Sequence, residues 1–252
     1  MPQQVSAGRA PSTSTPLGAL TSMPWLADVA APVLAKLAEH AVLHRVPAGV
    51  QLFEQAEVPG VAQFLIQGEI ELLAVRDGEE TLVELIRGPD LLLPAAVLNR
   101  QPYLARARVH RDALLMLAPA EAFRHAVCAD HAFCLAVLAC QAMQFRRQMK
   151  QAKAIRLRSA EERLGAYLMA LCADAGQGAA IRLPLEKRQI ASQLGMTRET
   201  LSRSFPAMAR HGLRVAGDIL HIDDLAAARA AFPSDPLIDG AETVTPLKPI
   251  KD

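Results

Sequence analysis

The sequence predicts an α+β protein in three successive parts: a small β-barrel, one long helix, and a C-terminal domain of short helices closed by a hairpin. Three observations predict it. Between Val42 and Leu117, short apolar runs alternate with the turn signals PAG (47–49), VPG (58–60), QG (67–68), DG (77–78), RGPD (87–90) and NRQP (99–102). Turns about every 8 to 12 residues are what a β-barrel or sandwich looks like in sequence. From near Asp130, apolar residues recur at helical spacing over roughly seven turns. Residues 184–222 then read as helix, glycine turn, helix and hairpin.

The totals set the bounds. A chain of 252 residues, 51% hydrophobic, is globular and long enough for more than one core. Lys plus Arg (27) almost balances Asp plus Glu (26), so net charge decides nothing about nucleic acid. The arrangement is more informative: Arg146 to Arg163 is rich in basic residues, and a second basic group lies between Lys187 and Arg214. The longest apolar runs, such as Leu91 to Leu98, fall short of the roughly 20 residues of a membrane span. The Ser-, Ala- and Pro-rich start has no apolar core and does not read as a signal peptide. Cys128, Cys134, Cys140 and Cys172 form no CxxC pair, and the first three read as buried free thiols. Cytoplasm is the expected compartment.

In chain order, residues 1–22 read as a mobile tail and 23–129 as an effector-sensing domain. Trp25, Leu26, Val29, Val33, Leu34 and Leu37 predict one amphipathic helix over Pro24–His40. Gln67-Gly68 and Asp77-Gly78, each between apolar runs, predict hairpin turns. Pro119 opens a short helix, and residues 130–158 form the long helix with its hinge. Leu135, Leu138, Ala142, Phe145, Met149 and Ala152 make a heptad seam. Phe133, Val137, Cys140 and Met143 or Gln144 make a second stripe. One stripe can pack on the chain's own core while the other meets a second subunit. Ser159-Ala160-Glu161-Glu162 fits a capping box and starts a new helix, ended by Gly176 and Gly178. Residues 159–232 form the last domain, and the proline-rich 233–252 reads as a second mobile tail.

Within 184–222, Ile190, Ala191 and Leu194 share a face of a first helix, and Gly195 supplies a turn with positive φ. Thr197 caps a second helix in which Leu201 and Phe205 point inward. Leu213-Arg214-Val215, Gly217-Asp218 and Ile219 to Ile222 form a wing. This is a winged helix-turn-helix, and the outer face of its second helix carries Arg198, Glu199, Ser202 and Arg203. Arginine donates two bonds to guanine and glutamate accepts from cytosine N4. Double-stranded DNA is therefore the expected partner. Pro206 removes an amide in that helix, and the sequence leaves open whether a kink there re-aims Ser202 and Arg203. Ser204 puts a hydroxyl where an apolar residue is expected.

Gly195-Met196-Thr197-Arg198-Glu199-Thr200-Leu201-Ser202-Arg203, with the domain order over about residues 24–232, resembles the CRP/FNR regulators. The segment combines the Arg-Glu-Thr start of the cyclic-AMP receptor branch with the Glu-x-x-Ser-Arg of the FNR branch. The resemblance implies a cyclic-nucleotide-binding-like jelly roll, a homodimer, RNA polymerase as a further partner and inverted repeats of TTGA type. It implies that Glu199 and Arg203 read central G·C pairs and that Ser202 favours thymine at the outer edge.

The sensor departs from two branches. Leu93-Pro94 stands where cyclic-nucleotide members carry Gly-Glu, and Leu104-Ala105 where they carry Arg-Ser, so a buried phosphate would go unpaired. Cyclic nucleotide is disfavoured unless Arg106 or Arg108 substitutes. No cysteine precedes Cys128, and Cys128, Cys134 and Cys140, six apart on one helix, would diverge by about 120°. An iron–sulfur cluster is disfavoured too. The apolar pocket resembles the nitric-oxide-responsive NnrR and DNR branch, which implies haem, with an axial ligand from His44, His110, His125 or His131 and His110 preferred for its place late in the barrel. Two other classes are weighed. A metal-dependent cupin-like enzyme would need an HxH or HxxxE motif that Val42–Leu117 lacks, so no enzymatic activity is expected. A non-DNA-binding interaction module leaves the Arg198–Arg203 face without a use.

Overall fold

The computed structural model describes residues 14–173 and 179–240. By their contacts the described residues fall into two units, residues 14–75 with 85–142, and residues 76–84 with 143–173 and 179–240. Gly176 and Gly178, read as ending a helix, lie outside the described residues.

The first unit begins with helix α1 (Pro16–Thr21), so the tail expected over 1–22 is corrected from its last part onward. Ala19 and Leu20 are fully buried in the core, which the low apolar content around them concealed. The single helix expected over Pro24–His40 is also corrected. A 3-10 turn (Pro24–Leu26) precedes α2 (Ala31–Ala38), which has proline in its first turn. Pro32 has no amide to give and is tolerated only in the first turn of a helix, so a new helix starts at Ala31, after the extended Ala30.

The sheet comprises β1 (Val42–Val46), β2 (Gln51–Phe53), β3 (Val61–Arg76), β4 (Glu79–Arg87), β5 (Asp90–Leu92) and β6 (Arg106–Pro119), in the order β1-β6-β3-β4 with β2 on β6 and β5 on β3. Asp77-Gly78 is the β3–β4 turn, with φ of 54° and 83° at its two residues as a type I′ turn requires. Gln67-Gly68 is not a turn. β3 runs through it, and the register against β6 shifts there. Gly68 has φ +101°, and a Cβ on it would lie 2.5 Å from the Asp112 carbonyl, so glycine serves a bulge and a close strand approach. The apolar run Leu91–Leu98 turns at Leu93 (φ 41°) into α3 (Pro94–Asn99).

Helices α4 (Ala120–Ala129) and α5 (His131–Leu157) follow. An aromatic chain ties the unit together. Trp25 stacks 6.2 Å from Phe64, Phe64 meets Phe123 edge-on at 6.0 Å, and Phe123 meets Phe133 at 5.9 Å. Phe133, Val137, Cys140 and Gln144 on α5 are buried, which is the expected inward stripe. Cys140 donates to the Asp90 carboxylate at 3.4 Å. The reading of Cys128, Cys134 and Cys140 as buried is corrected for two of them: Cys128 is exposed and Cys134 half-buried, and Cys128 lies on α4 and not on the helix of Cys134 and Cys140.

The second unit continues along α5 into α6 (Ala160–Leu171), β7 (Ala180–Arg182), α7 (Lys187–Gln193), α8 (Arg198–Arg210), β8 (Leu213–Ala216), β9 (Ile219–Ile222) and α9 (Leu225–Ala231). The capping box is present: the Glu162 amide donates to Ser159 Oγ at 3.2 Å and the Ser159 amide to Glu162 Oε2 at 2.7 Å. Ser159→Ala is expected to cost about 1 kcal/mol, read as a small fall in the thermal midpoint. Strand order is β7-β9-β8, and the β8–β9 hairpin pairs Leu213 with Ile222 and Ala216 with Ile219 around Gly217-Asp218. Leu164, Leu168, Ile190, Leu201, Met208, Leu213 and Leu220 are among its fully buried residues. The expected tail from Pro233 is corrected up to Gly240, because Asp239 forms a two-bond ion pair with Arg158.

Candidate nucleic-acid interface

The local chemistry of residues 186–210 explains their geometry. The Glu186 amide donates to Gln189 Oε1 at 3.0 Å, a capping box that starts α7. Ile190 and Ala191 are buried, and the small Ala191 leaves room for α8 to cross closely. Gly195 turns the chain at φ +61°, and a Cβ there would come within 3.0 Å of Ile155 Cδ1. Thr197 then caps α8, accepting from the Thr200 amide at 3.1 Å.

Leu201, Ser204, Ala207 and Met208 form the buried face of α8. The inward placing of Phe205 is corrected: it is only half-buried, with Lys187 Nζ 5.1 Å from its ring centroid. Ser204 takes the inward position instead and satisfies its hydroxyl by donating to the Thr200 carbonyl at 3.0 Å. Pro206 sits on the exposed side, and α8 still runs unbroken from Arg198 to Arg210.

The opposite face presents Thr197, Arg198, Glu199, Ser202 and Arg203, all exposed within the cap and the first two turns. Glu199 accepts from its own amide and from the Thr197 hydroxyl, with Arg198 and Arg203 nearby, and its carboxyl is held below the usual range. It is therefore ionised and can only accept, while the two guanidiniums can only donate.

Arg163 is a residue that sequence reasoning missed. Its Nε donates to the Leu194 carbonyl at 2.7 Å and its Nη2 to Gly195 at 3.4 Å. Its Nη1 donates to the hinge carbonyls of Arg158 and Ile155 at 2.5 and 3.4 Å. One guanidinium thus joins the hinge to the turn before α8. The available signal was a cation near the start of α6, where the helix dipole favours anions. On α7, Ser192 Oγ takes the Leu82 amide at 2.6 Å, so residues 79–84 pack with this unit.

Comparisons with known proteins agree with this architecture. Residues 43–130 match the model of the cyclic nucleotide-binding domain, and residues 162–229 match that of the Crp-like helix-turn-helix domain. In domain content and order, this chain is a member of the CRP/FNR family. The nitrogen fixation regulation protein FixK of Rhizobium meliloti is 39% identical to it over 64 residues. That alignment covers 25% of this chain and 30% of the relative. The fold of the CRP/FNR chain is also that of a putative regulator of the same family from Eubacterium rectale, with TM-score 0.69 and 16% identity over 84% of this chain and 99% of that one. FixK2 of Bradyrhizobium japonicum gives TM-score 0.62 at 16% identity, over 77% and 98%.

The remaining predicted site residues are dispersed. Leu138, Ala142, Phe145 and Met149 of the seam are exposed on α5, and Leu135 and Ala152 are half-buried. His44, His125 and His131 are exposed and do not line the barrel interior. His110 Nδ1 lies 2.9 Å from the buried Glu71 carboxylate, which also takes Arg108, and Nε2 lies 3.9 Å from Glu69. Arg106 is held by Glu54, whose carboxyl this bond keeps below its usual range.

Proposed function

We propose that this CRP/FNR-family chain is a dimeric, sequence-specific regulator of transcription that reads double-stranded DNA through α8. The observation that carries the reading is the exposed face Arg198, Glu199, Ser202 and Arg203 on a capped helix set in a winged helix-turn-helix. Two donors and one ionised acceptor on two successive turns match the pattern of base edges in a major groove. The resemblance to the FNR branch supplies the half-site: inverted TTGA-type repeats, with centres about one helical turn apart. Dimerisation is supported by Leu138 (53% exposed), Phe145 (63%) and Met149 (47%), large apolar side chains in heptad register.

The sensor argues against two effectors. Leu104 is 88% exposed and Ala105 offers no hydroxyl, and Arg106 and Arg108 are already neutralised by Glu54 and Glu71. An incoming cyclic phosphate would find no free cation at those positions. At His110, Nδ1 is engaged by the Glu71 carboxylate at 2.9 Å and Glu69 lies 3.9 Å from Nε2, so a haem ligand there would sit among anions and not in the apolar pocket that the haem reading requires. No step of the mechanism runs through haem or nitric oxide.

The test is titration of the full chain onto duplexes carrying a TTGA inverted repeat or its scrambled sequence, at several salt concentrations. Binding to the repeat at least about a thousandfold tighter than to the scramble is expected. Equal affinity, with a steep salt dependence on both, would reduce α8 to a phosphate contact.

A further inference from the structure

We propose that the groove between α2 and α4 binds a small amphipathic anion, a carboxylate carried on a compact apolar body. The site lies wholly within the first unit and stands whether or not the chain dimerises or reads DNA.

Sequence spacing builds the groove. Val33 and Leu37 on α2 face Ala122, Ala126 and Ala129 on α4, and intervals of four and three put each set on one side of its helix. Beneath them Leu34 and Phe123 are buried in the core and set how far apart the two helices run. With alanine at the facing positions of α4, a cavity of about 580 Å³ is left between the helices. Close-packed interiors hold few voids larger than a water molecule, so this volume is not packing slack. It falls within the roughly 300–1,000 Å³ of small-molecule sites, and like them it has an apolar floor.

The rim selects the ligand. Lys36 and His40 lie one turn apart at the end of α2, and His125 of α4 lines the same cavity. All three are exposed, and among the described residues none of them has a hydrogen bond or an ion pair. The two acids of the rim are already engaged. Glu121 pairs with Arg124 and, at 3.2 Å, with Arg100, and the Arg124 bond holds its carboxyl below the usual range. Asp130 Oδ1 accepts the Phe133 amide at 2.7 Å at the start of α5. What is left for a ligand is one cation that only donates and two imidazoles that each donate in either tautomer. A carboxylate offers acceptors to all three, while its apolar body covers Val33, Leu37 and the alanines. Among the described residues no three metal-ligating side chains converge, so the imidazoles serve an organic anion and not a metal ion.

The experiment titrates the full chain with dodecanoate, dodecanol and dodecyltrimethylammonium by equilibrium dialysis. Dodecanoate is expected to bind saturably, one per chain and in the micromolar range, and the neutral and cationic probes about fivefold or more weakly. Lys36→Gln, at an exposed position, should weaken dodecanoate by about fivefold and leave dodecanol unchanged. Ala126→Leu and the exposed Ala129→Leu fill the groove and should each weaken dodecanoate by about tenfold or more, with the thermal midpoint recording that the fold is kept. Equal affinity for the three probes, or dodecanoate binding unmoved by Lys36→Gln and by both leucines, would overturn the proposal. So would the absence of saturable binding, which would make the groove a surface for a larger partner.

Discussion

Phe145→Glu is expected to convert the proposed dimer into a folded 27.1-kDa monomer at micromolar concentration. Phe145 is 63% exposed on α5 between Leu138 and Met149, so the lone chain loses almost no packing when it is replaced. The whole cost falls on association. A parallel two-fold pairing puts each carboxylate into the apolar seam opposite its own copy. A buried, unpaired charge costs on the order of 3–5 kcal/mol, which is about three orders of magnitude in the dissociation constant. Binding to an inverted repeat should fall with it, because two half-sites then engage one at a time. Sedimentation velocity decides the matter: a Phe145→Glu chain that stays dimeric would mean that α5 meets something other than its copy along this stripe.

Arg203→Ala carries the second large effect, on base discrimination. Arg203 is exposed in the second turn of α8, on the same side as Glu199 and clear of the buried face formed by Leu201 and Met208. Its removal leaves the fold intact. Loss of a two-bond contact to guanine costs about 1–3 kcal/mol on the repeat, and the preference at that base pair relaxes. Affinity for scrambled duplex should change far less. Parallel titrations of both duplexes separate the roles. An equal loss on both would make Arg203 a phosphate contact and leave Glu199 as the base reader.

Both predictions rest on features with a short sequence range, and that is why they could be read early. The α5 seam repeats every seven residues, and its period is fixed by helix geometry whatever surrounds it. The helix-turn-helix is similar: Gly195, the Thr197 cap and the spacing of Ile190, Ala191 and Leu201 act over about one or two turns. Glu199 and Arg203 follow from the same spacing. The split at Pro32 was equally local, since a proline in the first turn starts a helix, and the apolar period across it misled.

Other features answer to residues far along the chain. Gln67-Gly68 and Asp77-Gly78 look alike as dipeptides between apolar runs. Asp77-Gly78 is a turn because nothing opposes it, while Gly68 lies against Asp112 and Ala113 of β6 and must be a bulge. The state of His110 depended on Glu71, a cross-strand neighbour of Arg108, and no motif around His110 announced it. The four-residue spacing from Leu201 points Phe205 inward, yet Ser204 could be buried because an acceptor one turn back satisfied its hydroxyl.

The sequence by itself determined the order of domains, the long helix with its two stripes, the capped second helix of the helix-turn-helix and the side chains on its exposed face. These depend on periodicity, capping and turn chemistry, which are set by neighbours within a few residues. Only the tertiary structure decided that Arg163 ties the hinge to the Gly195 turn, that Leu20 belongs to the core, and that Asp239 returns to Arg158. The physical reason is common to all three. A charged or apolar side chain does not specify its partner, and which one it finds is fixed by the packing of the remaining chain.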